Sequence, residues 1–351
     1  MLIRPSTPTD LPALMKLALG AGKGLTTLPA DEALLTRRLA LSEASFTAKV
    51  PPPDAFYLFA LEIDSQVVGV SGLAAGVGLS DVFYNYRLSR QVNASQELGI
   101  HITTPTLQLS NDMTGLTELC SLLLDTDSRG NGAGVFLSRC RLMFLAAFSD
   151  LFSAKVFAEM RGVSDQQGRS PLWESLGRLF FDMPFAEADQ RSMTEGKAFI
   201  AELMPKYPIY LPLLPAEAQE VVGKVHPDTR PALALLEAEG FNYNGMVDIF
   251  DGGPLVEAFC HNIRSIRQYR HAPVRVVDHQ HMVTDDRDTA LLMVSNRKRS
   301  DFRVILVAGS ALDHSGLTLT VGQARQLLVE PGDEIGFSPL KDTESQASPK
   351  A

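Results

Sequence analysis

The stretch from 118 to 149 constrains the fold more than any other part of the chain. An apolar strand-like run, ELCSLLLDTD (118–127), passes through Arg129-Gly130-Asn131-Gly132-Ala133-Gly134 into an apolar helix-like run at about 132–149. Glycines in such a turn let the backbone curl tightly and present several N–H groups at a helix N-terminus. That geometry binds phosphate with help from the helix dipole. The turn is not a Walker loop, because no Gly-Lys-Ser/Thr follows, and its spacing differs from the Gly-x-Gly-x-x-Gly dinucleotide fingerprint. A plain surface turn would hold the same glycines, so the turn alone leaves both readings open.

The flanking periodicities predict a mixed α+β chain. Residues 2–5 read as a strand, followed by a helix with Asp10 as N-cap, Pro12 early, and Leu11, Leu14, Met15 and Leu17 on its apolar face. A second helix is expected at about 31–46, then strands at 56–63 and 66–79 joined by Asp64-Ser65. Residues 80–117, with Phe83, Tyr84 and Tyr86, read as an insertion with some strand. Further on, 154–162 reads as strand, 170–181 as helix and AFIAELMP (198–205) as strand. Pro215–Val225 and 229–241 read as helices, the second closed by Gly240, and 246–253 as strand. Short β-like runs then suggest a small all-β appendage at 271–340, ahead of a disordered tail at 341–351.

Composition excludes several classes. A net charge of −9 argues against a nucleic-acid partner, which needs a basic face. No apolar run approaches the roughly 18 residues of a membrane span, and the N-terminus has no signal-peptide pattern. Cys120, Cys140 and Cys260 are odd in number and widely spaced, so they form neither a disulfide framework nor a zinc signature, which suits the reducing cytoplasm. His279 and His281 lack a third or fourth metal ligand and read as loop histidines.

The pattern Arg129-x-x-Gly132-x-Gly134 after an apolar strand resembles the pyrophosphate grip of the GCN5-related N-acetyltransferase (GNAT) superfamily, as does the preceding order of elements. A helix closing on Leu-Gly or Gly-Phe occurs twice, at Leu176-Gly177 and Gly240-Phe241, which suggests an extended or partly duplicated core with a second half-repeat from about 190. Within that superfamily, YNYR (84–87), SNDMTGLTELCSLLLD (110–125), AEMRG (158–162), SPLWESLGR (170–178), GKVHP (223–227) and DIFDGGP (248–254) resemble the arginine N-succinyltransferase family, over roughly 1–270.

The resemblance implies an acyl-CoA N-acyltransferase core at 1–270 that moves succinyl from succinyl-CoA to the α-amine of L-arginine, sometimes ornithine, in arginine catabolism. It implies no tightly bound cofactor, succinyl-CoA as co-substrate, and assembly as a homo-oligomer or with a paralogous subunit. It also implies that Arg129, Gly130, Gly132 and Gly134 grip the CoA pyrophosphate, that Leu122 contacts succinyl-CoA, and that His226 is the proton donor.

Aminolysis of a thioester needs a neutral amine, a polarised carbonyl and a proton for the departing thiolate. On residue type alone, His226 in Val-His-Pro-Asp is the general-base choice, although a histidine ordering the helix entry would look the same. Cys120, in an apolar strand, reads as inert core rather than as a nucleophile. A guanidinium substrate favours a carboxylate, with Asp112, Glu118, Glu159 and Asp251 as candidates. The succinyl carboxylate favours an arginine, Arg87 or Arg161. Two other functions fit the chain: a weakly catalytic subunit supporting a paralogous enzyme, and an N-acyltransferase using another acyl donor. The intact Arg129/Gly132/Gly134 turn and His226 count against the first.

Overall fold

A computed structural model describes residues 1–20, 28–165, 167–185, 187–188, 191, 198–277 and 290–341. His279, His281 and the predicted tail from 342 onward lie outside the described residues.

The N-terminal half contains β1 (Leu2–Pro5), α1 (Leu11–Gly20), α2 (Glu32–Phe46), β2 (Phe56–Ile63), β3 (Gln66–Ala74), β4 (Asn85–Ser95), β5 (Ile100–Ser110), β6 (Thr117–Leu124), α3 (Ala133–Ala147) and β7 (Lys155–Glu159). After several short helices come β8 (Ile209–Tyr210), helix Arg230–Glu239, β9 (Asn242–Asp248) and β10 (Pro254–Phe259). The C-terminal strands are β11 (Arg270–Val277), β12 (Leu291–Ser295), β13 (Val304–Ala308), β14 (Leu312–Asp313), β15 (Gly316–Thr320) and β16 (Glu334–Pro339). All join one mixed sheet in the order β14-β15-β11-β16-β12-β13-β1-β2-β3-β6-β7-β10-β9-β4-β5-β8. Within the core half, β6 and β7 run parallel, while the pairs on either side of them are antiparallel.

Local chemistry explains most boundaries. Asp64 and Ser65 both take left-handed backbone (φ 49° and 63°), the twist that a two-residue hairpin between β2 and β3 requires. Asp31 caps α2 by accepting from the Leu34 N–H at 2.8 Å. Asp10 does not cap a helix as its position predicts. A short turn, Pro8–Asp10, leads into α1, and the buried Asp10 carboxylate accepts from both terminal nitrogens of Arg4, at 2.8 and 2.9 Å. The same carboxylate accepts from the Thr7 N–H at 2.8 Å, so Asp10 closes a capping box as the third residue of that entry turn instead of standing at the N-cap of α1.

α3 is the centre of the core. Phe136, Leu137, Cys140, Met143 and Phe144 on it are wholly buried. The Phe144 ring meets Phe46, Tyr57, Phe59 and Phe302, with centroids 5.6, 4.9, 5.2 and 4.9 Å away. Truncating such a residue to alanine costs about 3–5 kcal/mol.

Three other local expectations change. The run AFIAELMP is helical over Ala198–Leu203, because Ala, Glu, Leu and Met favour helix and the buried Ile200 and Met204 lie one helical turn apart. Leu176-Gly177 does not close a helix: Gly177 keeps φ −58°, and a wide turn at Trp173–Gly177 runs on into Arg178–Phe181. Gly177 is there for packing, since a Cβ would sit 2.2 Å from the Trp173 ring. Gly240, at φ 100°, does end its helix in the left-handed region. Finally, β10 was absent from the sequence expectation.

The C-terminal strands enter the sheet through β13, where Ile3 opposes Val304, and they bury a separate apolar cluster that includes Val274, Leu317, Leu327 and Ile335. One helix, Val321–Leu327, lies among these strands and was not anticipated. Among the described residues, no helix is long and apolar enough to cross a membrane.

Candidate active site

The parallel pair β6–β7 is hydrogen-bonded only at Thr117–Glu118 against Val156–Phe157. Beyond Glu118 the strands separate, while β6 stays paired to β3 as far as Leu124 opposite Gly69. Continued four residues, the register sets Leu122 across the gap from Arg161. A half-buried Leu122 at a strand edge without a β7 partner matches the splayed edge that a backbone contact to a thioester requires. Ser121 beside it has left-handed backbone (φ 53°), and Ser71 of β3 alone opposes Ser121 and Leu122, which is a β-bulge. No sequence pattern marks this bulge.

At the open end of β6 the chain turns into α3. Gly130 (φ 95°) and Gly132 (φ 85°) both use left-handed backbone, and Gly132 caps α3. A Cβ at either would meet nothing within 4 Å, so the turn is open to solvent and glycine is needed for backbone conformation rather than for space. The first-turn amides of α3, including that of Gly134, have no carbonyl one turn back in the helix. Arg129 is exposed at the same turn. The strand, turn and helix of the sequence expectation are present, with the Ala133 N–H donating to Asn131 Oδ1 at 3.3 Å.

Three separate sequence motifs converge on the other side of the gap. AEMRG continues β7, and its Gly162 N–H donates to Asp251 Oδ2 at 2.7 Å. Gly162 also bridges Val225 of GKVHP, and the His226 N–H donates to the Arg161 carbonyl at 2.8 Å. Asp251 Oδ1 accepts from the Gly253 N–H at 2.8 Å, and a Cβ on Gly253 would lie 2.0 Å from the Met160 carbonyl. The glycines of these motifs therefore allow three backbones to touch.

His226 begins a short turn, Pro227–Thr229, ahead of helix Arg230–Glu239, so it does order the helix entry. Its Nδ1 accepts from the Asp228 N–H at 3.2 Å, which puts the ring hydrogen of the neutral imidazole on Nε2. Burial and then the charge of Arg161 push its pKa down, with Asp228 and the Ser164 backbone opposing. A neutral ring with Nε2–H is a hydrogen-bond donor. The general-base choice made on residue type is thus less suited to this geometry than the donor role. An open concavity of about 330 Å³, lined by Val163, Gly223, Lys224, Val225, Pro227 and Arg230, flanks the ring. Four of them belong to the GKVHP motif, whereas Val163 and Arg230 carried no sequence signal.

A buried ion cluster ties this side to α3. Glu239 forms an ion pair with Arg139 of α3 at 2.7 Å and accepts from Arg264 at 2.6 Å and from the Ser265 N–H at 2.8 Å. Helix Arg230–Glu239, which His226 leads, is therefore fixed to the helix that follows the glycine turn.

The charged candidates separate. Glu118 is buried at the last position of β6 paired with β7, and Glu159 ends β7 and accepts from Asn85 Nδ2 at 3.0 Å. Arg161 follows β7 and donates to Ser164 Oγ at 3.1 Å. These three flank the gap. Arg87 and Asp112 instead pair with each other on the exposed surface, Arg87 Nε donating at 3.1 Å, and this pairing holds the Asp112 pKa low. Asp251 is buried and each of its oxygens accepts from a backbone amide, which favours a structural role over a guanidinium clamp. Burial and the neighbouring Asp248 push its pKa up. Cys120 is buried and its thiol is pushed up to about 12, chiefly by burial, so no thiolate nucleophile is available at neutral pH.

A mixed sheet flanked by helices, with a parallel pair that splays beside a bulge and a glycine turn entering a buried helix, defines a GNAT-like N-acyltransferase fold. Residues 1–265 match the family model described as arginine N-succinyltransferase beta subunit, and residues 270–339 match the model of its C-terminal domain. The chain belongs to the arginine N-succinyltransferase family. It is 48% identical to arginine N-succinyltransferase subunit beta of Pseudomonas aeruginosa, over 97% of this chain and 98% of that protein. It is 46% identical to arginine N-succinyltransferase of Escherichia coli K12, over 95% and 96%. It is also similar to the structure of arginine/ornithine succinyltransferase subunit AI from Pseudomonas aeruginosa, with a TM-score of 0.86 and 34% identity, over 97% of this chain and 99% of that one.

Proposed function

We propose that this chain is an arginine N-succinyltransferase, transferring succinyl from succinyl-CoA to the α-amine of L-arginine by direct attack. The observation that carries the reading is the junction of Arg161 and His226 at 2.8 Å, across the β6–β7 gap from Leu122, with the glycine turn at the end of β6. In this reading the amides around Arg129–Gly134 bind the CoA pyrophosphate, and the pantetheine lies along the free edge of β6 at Leu122. The C–N bond forms as the C–S bond breaks. His226 Nε2–H donates a hydrogen bond to the departing sulfur, and the proton that the attacking amine loses ends on that sulfur, so the products are the amide and the free CoA thiol.

Arg161 is our choice for the succinyl carboxylate, and Glu118 or Glu159 for the guanidinium. The names of the relatives support succinyl and arginine as the groups exchanged. The word "subunit" in one of them supports an oligomer. Three free cysteines and a CoA-thioester co-substrate favour the cytoplasm. We further read 271–340 as a unit appended to the catalytic core; the separate family-model matches to 1–265 and 270–339 support this reading.

The test is thiol release by the purified protein with a panel of acyl-CoAs and arginine or ornithine. Turnover with succinyl-CoA and arginine is expected. Release no faster than the no-enzyme blank would leave the supporting-subunit reading in its place.

A further inference from the structure

α3 holds an arginine with no anionic partner among the described residues. Arg141 is 2% exposed and lies on the side of the sheet where α3 packs. Its hydrogen bonds go to the Ser138 carbonyl at 3.1 Å, the Ser138 hydroxyl at 3.0 Å and the Cys120 carbonyl at 3.3 Å. None of these acceptors is a carboxylate, whereas Arg139, two residues before it, reaches Glu239. Burial pulls the Arg141 pKa below its ordinary value, as expected for a cation without a counter-ion. Isolated buried charge is costly and persists where it secures something else.

What it secures is the bulge in β6. The Cys120 carbonyl immediately precedes Ser121, the residue with φ 53°. A strand carbonyl that accepts from a helix side chain is turned toward that helix. On the opposite strand, the Ser71 hydroxyl donates to the Leu137 carbonyl of α3 at 3.0 Å. Both sides of the bulge are therefore anchored on the helix whose first turn forms the glycine-turn site.

We propose that Arg141 is a positioning residue for the acyl thioester: by holding the Cys120 carbonyl toward α3 it fixes the Ser121–Leu122 bulge, and with it the β6 edge that faces the gap. The inference rests on the reading of that gap as the thioester site. A guanidinium suits the task better than an ammonium, because its planar fork holds Ser138 and Cys120 at once. Its charge also polarises the Cys120–Ser121 peptide, strengthening the amide donor of that unit.

The experiment compares wild type with Arg141→Met, which keeps side-chain bulk and removes charge and donors, and with Arg141→Lys. Folding is checked by thermal melt, free-CoA affinity by calorimetry, and kcat and KM are measured for both substrates. Arg141→Met is expected to lose about 10²-fold in kcat, with free-CoA Kd and arginine KM changed less than about threefold, and Arg141→Lys to regain about tenfold of that loss. A folded Arg141→Met with kcat within about threefold of wild type overturns the proposal, as does an equal loss in free-CoA affinity and kcat. If Arg141→Met does not fold, Ser121→Val carries the test. It leaves the charge in place and opposes the left-handed backbone while removing the hydroxyl that contacts Cys120, and wild-type kcat in that variant overturns the proposal equally. Failure of wild type itself to bind CoA would instead remove the underlying reading of the gap, whatever Arg141 does.

Discussion

The backbone N–H of His226 donates to the carbonyl of Arg161 at 2.8 Å. These residues lie 65 positions apart in the chain, and this bond, with the Gly162–Val225 bridge, fixes an imidazole and a guanidinium on one edge of the gap. The guanidinium disfavours protonation of the ring, second only to burial, so the residues are coupled electrostatically as well as through the backbone. A histidine that only ordered a helix entry would not need this cation beside it.

The tautomer gives a discriminating substitution. With Nδ1 accepting from the Asp228 N–H, His226 offers Nε2–H, and glutamine can place an amide N–H at a similar distance from the backbone. His226→Ala should lower kcat by about 10²–10⁴-fold with little change in CoA affinity, and His226→Gln should recover at least about tenfold of it. If both variants are equally impaired, the ring acts as a base and the donor role fails. Turnover near wild type in His226→Ala would leave His226 as a capping residue.

His226 also makes stability depend on pH in a predictable sense. Its folded-state pKa lies below the ordinary 6.5, mainly through burial, so the unfolded chain binds this proton more readily than the folded one. The contribution is therefore present above the unfolded pKa and is lost as pH falls from there through the folded value. Melting temperatures should drop more in wild type than in His226→Gln between about pH 7.5 and pH 5. Parallel curves for the two proteins would rule out a folded-state pKa below the ordinary value.

Gly132→Val addresses the cofactor turn. Position 132 has open space for a side chain but holds φ 85°, which a β-branched residue adopts only with strain. The expected result is at least a tenfold (~1.4 kcal/mol) rise in the succinyl-CoA KM, with arginine KM changed less than about twofold. An unchanged succinyl-CoA KM in the folded variant would take the pyrophosphate away from this turn.

Asp251 should behave as structure rather than as substrate recognition. Its two oxygens accept from the Gly162 and Gly253 amides in a buried loop, so Asp251→Ala leaves two buried N–H groups without acceptors. The expected cost is about 2–4 kcal/mol in denaturant unfolding. Asp251→Asn retains one carbonyl and should cost less. A fully stable Asp251→Ala variant with a raised arginine KM would restore Asp251 as a guanidinium ligand.

Much of this arrangement was legible locally. β1, α2, the β2–β3 hairpin, and the strand, turn and helix around Gly132 follow from periodicity and caps, which act within a few residues. The failures are tertiary. Asp10 sits at the third position of an entry turn capped by Thr7 and also binds Arg4, and Gly177 serves the Trp173 ring instead of a helix end. The contact of Gly162, Val225 and Asp251 joins segments whose proximity no spacing encodes, although each bears glycines that permit close approach. Charge type in the sequence did not separate the exposed Arg87–Asp112 pair from the carboxylates at the gap, because pairing depends on which strand lies beside which.

The last prediction concerns discrimination. After Arg87, Asp112 and Asp251 are assigned elsewhere, the charged candidates flanking the gap are Glu118, Glu159 and Arg161. Glu118 is buried, and a carboxylate that gains a guanidinium in such a place loses a strong charge-assisted contact when the acceptor is neutral. Citrulline keeps the shape of arginine and drops only its charge, so arginine should be preferred by at least about tenfold in kcat/KM. The same reasoning applies to the acyl donor. Arg161 donates to the neutral Ser164 hydroxyl, and succinyl brings a carboxylate that acetyl lacks, so succinyl-CoA should exceed acetyl-CoA by a similar factor. Arg161→Gln should narrow the second ratio and leave the first intact, while Glu118→Gln or Glu159→Gln, whichever is the ligand, should do the reverse. Equal kcat/KM for arginine and citrulline would remove the carboxylate clamp, and equal values for the two acyl donors would remove succinyl specificity itself.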